Sequence, residues 1–75
     1  MAIYTDNLTN KYKISDMDTN SDPKYYGFLA PDGSWFVMKE DSTAQTYRYS
    51  RGEKDYSTAW INRATLTYVL FNVAF

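Results

Sequence analysis

YYGFLAPDGSWFVMKEDSTAQTYRYS, residues 25–50, is the stretch that decides the fold, because it predicts two strands joined by a tight turn and then a third strand. At the turn, residues 31–33 (Pro-Asp-Gly) supply a fixed φ, a residue tolerant of the bridge region and a glycine free to adopt positive φ. This order is typical of a type I turn closed by a glycine bulge. The turn sets the register of the hairpin, with Phe28 opposite Phe36 on one side of the sheet.

A second reversal is predicted at the short polar segment 41–44, Asp-Ser-Thr-Ala. It would pair Glu40 with Gln45 and set Tyr49 beside Phe36, so that one face of the sheet stays aromatic across three strands. A slip by one residue would move every ring to the other side, and the register is therefore strongly specified.

The two faces of this predicted sheet differ in composition. We expect the first face to be internal, together with a tryptophan from a later helix: Phe28, Phe36, Met38, Tyr47, Tyr49 and Trp60. The second face mixes rings, aliphatic side chains and charges: Tyr25, Leu29, Trp35, Val37, Lys39, Thr46 and Arg48. Both faces need at least partial cover, and a chain this short has little material to supply it.

The composition points to partner proteins. The chain has 75 residues and neither cysteine nor histidine. A domain of this size buries only about 60% of the surface that its unfolded chain exposes, and disulfides or zinc often compensate. The residues for both are missing, while aromatic residues make up 19% of the chain. Because Tyr, Trp and Arg are enriched at interface hot spots, we expect the chain to pack against other proteins and copies of itself.

Residues 1–22 differ from the rest, since their apolar side chains are irregularly spaced among Asp, Asn, Ser and Thr. We predict a flexible N-terminal arm over residues 1–22, which admits a short strand at residues 12–14. A compact aromatic β-rich domain is predicted over residues 23–75.

Inside the arm, four side chains that carry oxygen atoms alternate along the chain: Asp16, Asp18, Asn20 and Asp22. Calcium loops of the EF-hand type use such a comb, because alternate side chains converge on one cation. Here Ser21 occupies the position of the turn glycine, and Gly27 that of the closing glutamate. A solvated acidic linker is the main interpretation, and a calcium site is the alternative.

The C-terminal third predicts one helix and one strand. Aromatic and small residues at helical spacing indicate a short helix at residues 58–63, with Trp60 against the sheet. The tail, TLTYVLFNVAF (residues 65–75), is uncharged and rich in β-branched and aromatic residues, which indicates a final strand. The predicted fold class is mainly β (small α+β): an antiparallel meander of about four strands with one short helix and an extended N-terminal arm.

Several classes of function are disfavoured by the composition. Without histidine or cysteine the common nucleophile and base arrangements are missing, so we predict no enzymatic activity, no cofactor and no small-molecule substrate. A net charge of −1 argues against a dedicated nucleic-acid binder. No segment has the roughly 20 apolar residues of a membrane span, and residues 1–10 lack a secretory pattern.

Two alternatives stay open. One is a single-stranded nucleic-acid-binding module that stacks bases on Tyr25 and Trp35 beside Arg48. The other is a glycan-binding module that uses exposed rings.

Four segments carry a resemblance to a known class of proteins: residues 25–33, residues 35–40 (WFVMKE), residues 47–49 (YRY) and residues 59–68 (AWINRATLTY). In them the chain resembles short uncharacterised proteins of tailed bacteriophages, encoded among the virion genes. The resemblance implies a small virion component attached to the tail, neck or capsid and assembled in the host cytoplasm. That class has no assigned catalytic or binding residues to carry over.

The sequence therefore predicts a non-enzymatic structural component of a phage virion. We expect it to bind neighbouring subunits through the second sheet face, the apolar C-terminal strand and the N-terminal arm. The expected contact residues are Tyr25, Leu29, Trp35, Arg48, Val69, Phe71 and Phe75, the last as a docked terminus.

Overall fold

A computed structural model describes residues 11–75 of the chain as a four-stranded antiparallel sheet with strand order β1-β2-β3-β4. The strands are β1 Lys13–Asp18, β2 Lys24–Leu29, β3 Trp35–Asp41 and β4 Thr46–Gly52. Helix α1 (Tyr56–Ile61), a 3-10 turn (Arg63–Thr65) and helix α2 (Phe71–Ala74) follow. The predicted mainly β, four-stranded antiparallel meander is confirmed, with two short helices in place of one.

The β2–β3 hairpin has the predicted turn and register. Gly33 adopts φ +92° and its N–H donates to Ala30 O at 3.0 Å, while the Ala30 N–H donates to Ser34 O at 2.8 Å. Phe28 lies opposite Phe36, as the turn chemistry predicts. Their rings stack with centroids 4.4 Å apart, which adds a favourable cross-strand pair.

The β3–β4 register differs from the prediction by two residues. Tyr49 pairs with Met38, and Tyr47 pairs with Glu40, so the loop extends to Gln45. Gln45 adopts φ 59°, a left-handed conformation that continues the turn instead of starting a strand. Because the shift is an even number of residues, every side chain keeps its predicted face.

The fourth strand comes from the N-terminal side of the chain and not from the tail. β1 pairs with β2, with Ile14 opposite Phe28 and Met17 opposite Tyr26. The sheet thus begins at Lys13, well before the predicted domain boundary at 22/23. The rest of the predicted arm, residues 1–10, lies outside the described residues.

The final strand predicted for residues 65–75 is wrong. Only Val69 bridges the sheet, through two 2.8 Å hydrogen bonds with Tyr49, and helix α2 follows. The helix places Phe71 and Phe75 on one side at i, i+4 spacing, with ring centroids 4.8 Å apart. A helix can therefore turn both rings of this apolar tail toward the sheet, whereas a strand would have needed cover on two sides.

Helix α1 covers one side of the sheet, named here the helix face, and the other side is named the open face. The core of the helix face consists of Tyr25, Trp35, Val37, Tyr56 and Ala59, with Leu29, Trp60, Leu66 and Tyr68 packed against it. A second core on the open face consists of Tyr12, Ala30 and Phe36, with Phe28 and Tyr49 beside them. Among the helices of residues 11–75, none has the length and apolar character needed to cross a bilayer.

Candidate interaction surface

The structure buries much of the sheet face that was predicted to contact partners. Trp35 and Tyr25, predicted as contact residues, are only 6% and 9% exposed and lie in the core beneath α1. The Trp35 indole N–H donates to Lys54 O at 2.7 Å, so its polar atom is satisfied inside the fold. Leu29 packs against the same core. In this fold Tyr25 and Trp35 are buried and Leu29 is half-buried, and their contact with partners stays a prediction.

Glycine on the helix face explains why α1 lies there. A Cβ at Gly27 would lie 2.1 Å from the Tyr56 hydroxyl oxygen and 2.9 Å from Trp60 Cε3. At Gly52, a Cβ would meet the Trp35 ring at 2.5 Å. Glycine inside a strand often marks a close approach, and here Gly27 makes room for α1 while Gly52 makes room for the Trp35 ring of the neighbouring strand on the same face. This was the signal in the sequence that could have identified the helix face.

The stacking platform of the nucleic-acid alternative is not formed by the described residues. That hypothesis required both Trp35 and Arg48 at the surface. Arg48 is half-buried and donates to Tyr47 O at 3.0 Å, while Trp35 is covered by the helix. The two side chains that were to hold a base and its phosphate therefore do not form a shared exposed surface.

At one end, the open face is covered by one aromatic ring that precedes the strands in the sequence and one that follows them. Tyr12 packs edge-on against Phe36 with centroids 5.1 Å apart, and Phe75 packs edge-on against the same ring at 5.2 Å. The Arg51 guanidinium lies 5.0 Å from the centre of the Phe75 ring. Phe75 is thus docked on its own sheet, although as a predicted contact residue it was expected to reach a neighbour.

Beyond this cover lies a partly exposed row of side chains that crosses all four strands, here named the open strip: Met17, Tyr26, Met38 and Tyr49. Each is the direct register partner of the next. Met17 is 65% exposed, and Phe71 packs edge-on against Tyr49 at 5.2 Å. The open strip therefore runs without a break from the edge strand β1 to the C-terminal helix.

A polar row borders the open strip on the side away from Phe36. Lys24 lies directly opposite Glu40, and Glu40 lies opposite Tyr47. Glu40 accepts a 2.9 Å hydrogen bond from the Tyr26 hydroxyl, and this bond raises the pKa of Tyr26. Tyr47, predicted to be internal, is 52% exposed, because the shifted β3–β4 register places it at the end of the sheet.

The tail adds apolar surface next to the open strip. Phe71 and Val73 are 44% and 64% exposed, and Leu70 is also exposed. Val69 is half-buried, because its backbone is bonded to Tyr49. Of the predicted contact residues on this side of the sheet, Phe71 and Phe75 are exposed, Phe71 the more so.

The acidic comb is divided among three different partners. Asp16 accepts a hydrogen bond from the Tyr56 hydroxyl at 2.7 Å, and Asp18 forms a 3.0 Å ion pair with Arg63. Asp22 accepts from the Ser42 backbone N–H at 2.8 Å in the β3–β4 loop. Residues 11–75 contain no group of three or more carboxylates arranged to hold a metal ion. The acidic side chains of the comb therefore hold strand β1 and the β3–β4 loop in place. Their oxygen atoms do not converge on one point, as the calcium alternative required.

Comparison with known proteins returned no matching family model, no matching curated protein and no matching solved structure. A function for this chain therefore has to be inferred from its exposed side chains.

Proposed function

We propose that this chain is a non-enzymatic structural component of a phage virion, which binds neighbouring virion proteins through the open strip and the adjoining helix α2. The observation that carries the proposal is the unbroken row of Met17, Tyr26, Met38 and Tyr49, which, among residues 11–75, helix α2 covers at the Tyr49 end through Phe71 and Phe75. The resemblance to short phage proteins supports the virion as the place of assembly.

The chemistry of the open strip suits a protein partner. Methionine adapts its shape to irregular surfaces, and tyrosine combines a large apolar ring with a hydroxyl that tolerates a wet rim. Aromatic residues and methionine are enriched at the cores of interfaces, where lysine and glutamate are depleted. The open strip has this pattern, because its four residues are uncharged and the charged Lys24 and Glu40 lie on its border.

The contrast with the opposite side of the sheet also supports the proposal. There, α1 covers the rings of Tyr25 and Trp35 with Tyr56 and Ala59. The open face receives only partial cover from Tyr12 and Phe75, which leaves Met17 and Phe71 in solvent. Contiguous exposed apolar side chains with a polar border are typical of interaction surfaces.

The test is to find the chain in particles and to remove it from them by one substitution on the open strip. We expect mass spectrometry of density-purified, nuclease-treated particles to detect the chain at a fixed ratio to the capsid proteins. Met17→Asp should lower that ratio at least about tenfold, because a charge would be buried in the interface.

The matched control is Ile61→Asp, which introduces the same charge at a residue 76% exposed on α1, on the other side of the sheet. We expect this variant to enter particles like the natural chain. Absence of the natural chain from purified particles, or equal loss of both variants, would contradict the proposal.

A further inference from the structure

We propose that the partner on the open face is a second copy of this chain, related by a two-fold axis that brings Lys24 of each copy against Glu40 of the other. The inference rests on the proposed function, because it names a partner for the surface that assembly would use. It adds the identity of that partner, the symmetry and the pair of charges that fixes the orientation.

The first argument is that the open strip can serve both sides of a symmetric contact. A two-fold interface places the same patch on both subunits, so the patch must be complementary to itself. An uncharged row of methionine and tyrosine meets this condition, because these side chains carry no charge that would repel the same side chains of a second copy. Met17 and Phe71 at the two ends of the row are exposed and available to the second copy.

The second argument is the charge pattern of the border. Lys24 and Glu40 are direct register partners on neighbouring strands, so one positive and one negative group lie side by side on the open face. A two-fold rotation about an axis between them exchanges their positions and sets each charge against its opposite. A border of one sign would repel its own copy, whereas this one attracts it.

The contacts of Lys24 and Glu40 within the chain allow both side chains to take part in the dimer. Glu40 is held by the Tyr26 hydroxyl at 2.9 Å, and the Tyr47 hydroxyl lies 3.5 Å from its second carboxylate oxygen. Those bonds orient the carboxylate on the open face. Among residues 11–75 the Lys24 ammonium has only a 3.5 Å contact, to the Ser42 hydroxyl, so little is lost when it turns to a second copy. The four side chains of the open strip are far fewer than the roughly 20–30 residues that each partner contributes to a standard interface, so we expect a weak, micromolar dimer.

Charge reversal tests both the partner and the symmetry. Lys24→Glu alone sets glutamate against glutamate in both symmetry-related contacts of the dimer, and Glu40→Lys alone sets lysine against lysine. Each single variant should raise the dimer Kd at least about tenfold. The double variant should recover dimerisation. An equimolar mixture of the two single variants should form a mixed dimer, because the border of one chain is then wholly acidic and that of the other wholly basic.

The readout is sedimentation equilibrium over a concentration series, with circular dichroism to verify that each variant is folded. The matched control is Lys54→Glu, which reverses a charge at an exposed residue in the loop before α1. This control should dimerise like the natural chain.

A second measurement needs no variant. Natural chains labelled with ¹⁴N and ¹⁵N are mixed and treated with a carbodiimide, which joins a lysine to a carboxylate in contact with it. We expect a cross-linked peptide that contains Lys24 from one isotope and Glu40 from the other. The isotope mixture separates this product from a link within one chain.

A natural chain that stays monomeric at millimolar concentration would overturn the inference, as would single variants that fail to form a mixed dimer or a cross-link that lies only within one chain. These failures leave the proposed function intact if the chain is still found in particles. A dimer that is absent from particles would instead contradict the proposed function and leave the dimer standing.

Discussion

The hydroxyl of Tyr56 donates a 2.7 Å hydrogen bond to Asp16, and so joins helix α1 to an edge strand that lies 40 residues earlier in the chain. The bond passes over Gly27, whose missing side chain leaves room for the tyrosine ring. Arg63 makes a second connection to the same strand through Asp18. β1 is therefore held by its sheet partner β2 and by two side chains from the helical segment.

Tyr56→Phe removes the hydroxyl and leaves the Asp16 carboxylate without this donor. We expect a loss of about 1.5–3 kcal/mol in the free energy of unfolding, the range for hydrogen bonds to charged groups. Urea denaturation followed by circular dichroism measures it. Tyr47→Phe is the matched control, because within the described part of the chain the Tyr47 hydroxyl makes only a 3.5 Å contact, at an exposed site. It should cost less than about 0.5 kcal/mol. Equal losses would contradict the role given to Tyr56.

Gly27→Ala should destabilise the fold through a clash with the helix. The new Cβ would lie 2.1 Å from the Tyr56 hydroxyl oxygen, and that oxygen is fixed by Asp16. Overpacking of this kind costs about 1–3 kcal/mol. In a Tyr56→Phe background the nearest atoms lie at 2.9 and 3.0 Å, so the cost of Gly27→Ala should fall. Urea denaturation of the four variants in this double-mutant cycle measures the change.

Gly33→Ala provides the control for that cycle. A Cβ at this position would have no neighbouring atom within 4 Å, so the substitution costs stability only through the positive φ of the residue. Gly33→Ala should therefore lower the free energy of unfolding by the same amount in the natural chain and in the Tyr56→Phe variant. A difference between these two backgrounds would contradict this account.

The contacts just described also explain what the sequence could and could not predict. The turn at Pro31-Asp32-Gly33 is local chemistry, and the Phe28–Phe36 register follows from it directly. The acidic side chains of β1 resembled a solvated linker because their partners, Tyr56 for Asp16 and Arg63 for Asp18, lie far away in the chain.

The sequence analysis also did not predict which face of the sheet the helix covers. Both faces of the sheet carry large side chains. The alternation of side chains along a strand assigns each residue to a face, but it does not indicate which face a helix covers. Gly27 and Gly52 carried that information, because they make room on one face only. The open strip was identified as an aromatic face, but its exposure depends on where α1 lies. The two-residue shift at Gln45 came from a left-handed backbone that no local signal required.

The Arg63–Asp18 pair predicts a loss of stability in acid. The hydrogen bond from Arg63 lowers the pKa of Asp18 below its ordinary value of 3.8. Because the pKa is lower in the folded state, the pair stabilises the fold above pH 3.8, and this contribution is lost as the pH falls through the folded-state pKa. Asp18→Asn should remove this part of the pH dependence. Urea denaturation between about pH 2 and pH 7 measures it.

Arg63→Gln tests the same pair from the other side. If the guanidinium is the cause of the lowered pKa, both single variants should flatten the acid dependence alike, and the double variant should add nothing further. A pH profile for Arg63→Gln that matches the natural chain would contradict the role given to the guanidinium.

The burial of Trp35 can be tested with the two single-tryptophan variants, since the chain contains only two tryptophans. Trp60→Phe leaves Trp35, which is 6% exposed and bonded to Lys54 O. Its fluorescence should be blue-shifted and protected from acrylamide. Trp35→Phe leaves the half-buried Trp60, which should be quenched more strongly. In concentrated urea both variants should be quenched equally, which provides the control. Strong quenching of Trp35 in the folded chain would instead place the helix face in solvent, and the contact surface would then be the one that includes Tyr25 and Arg48.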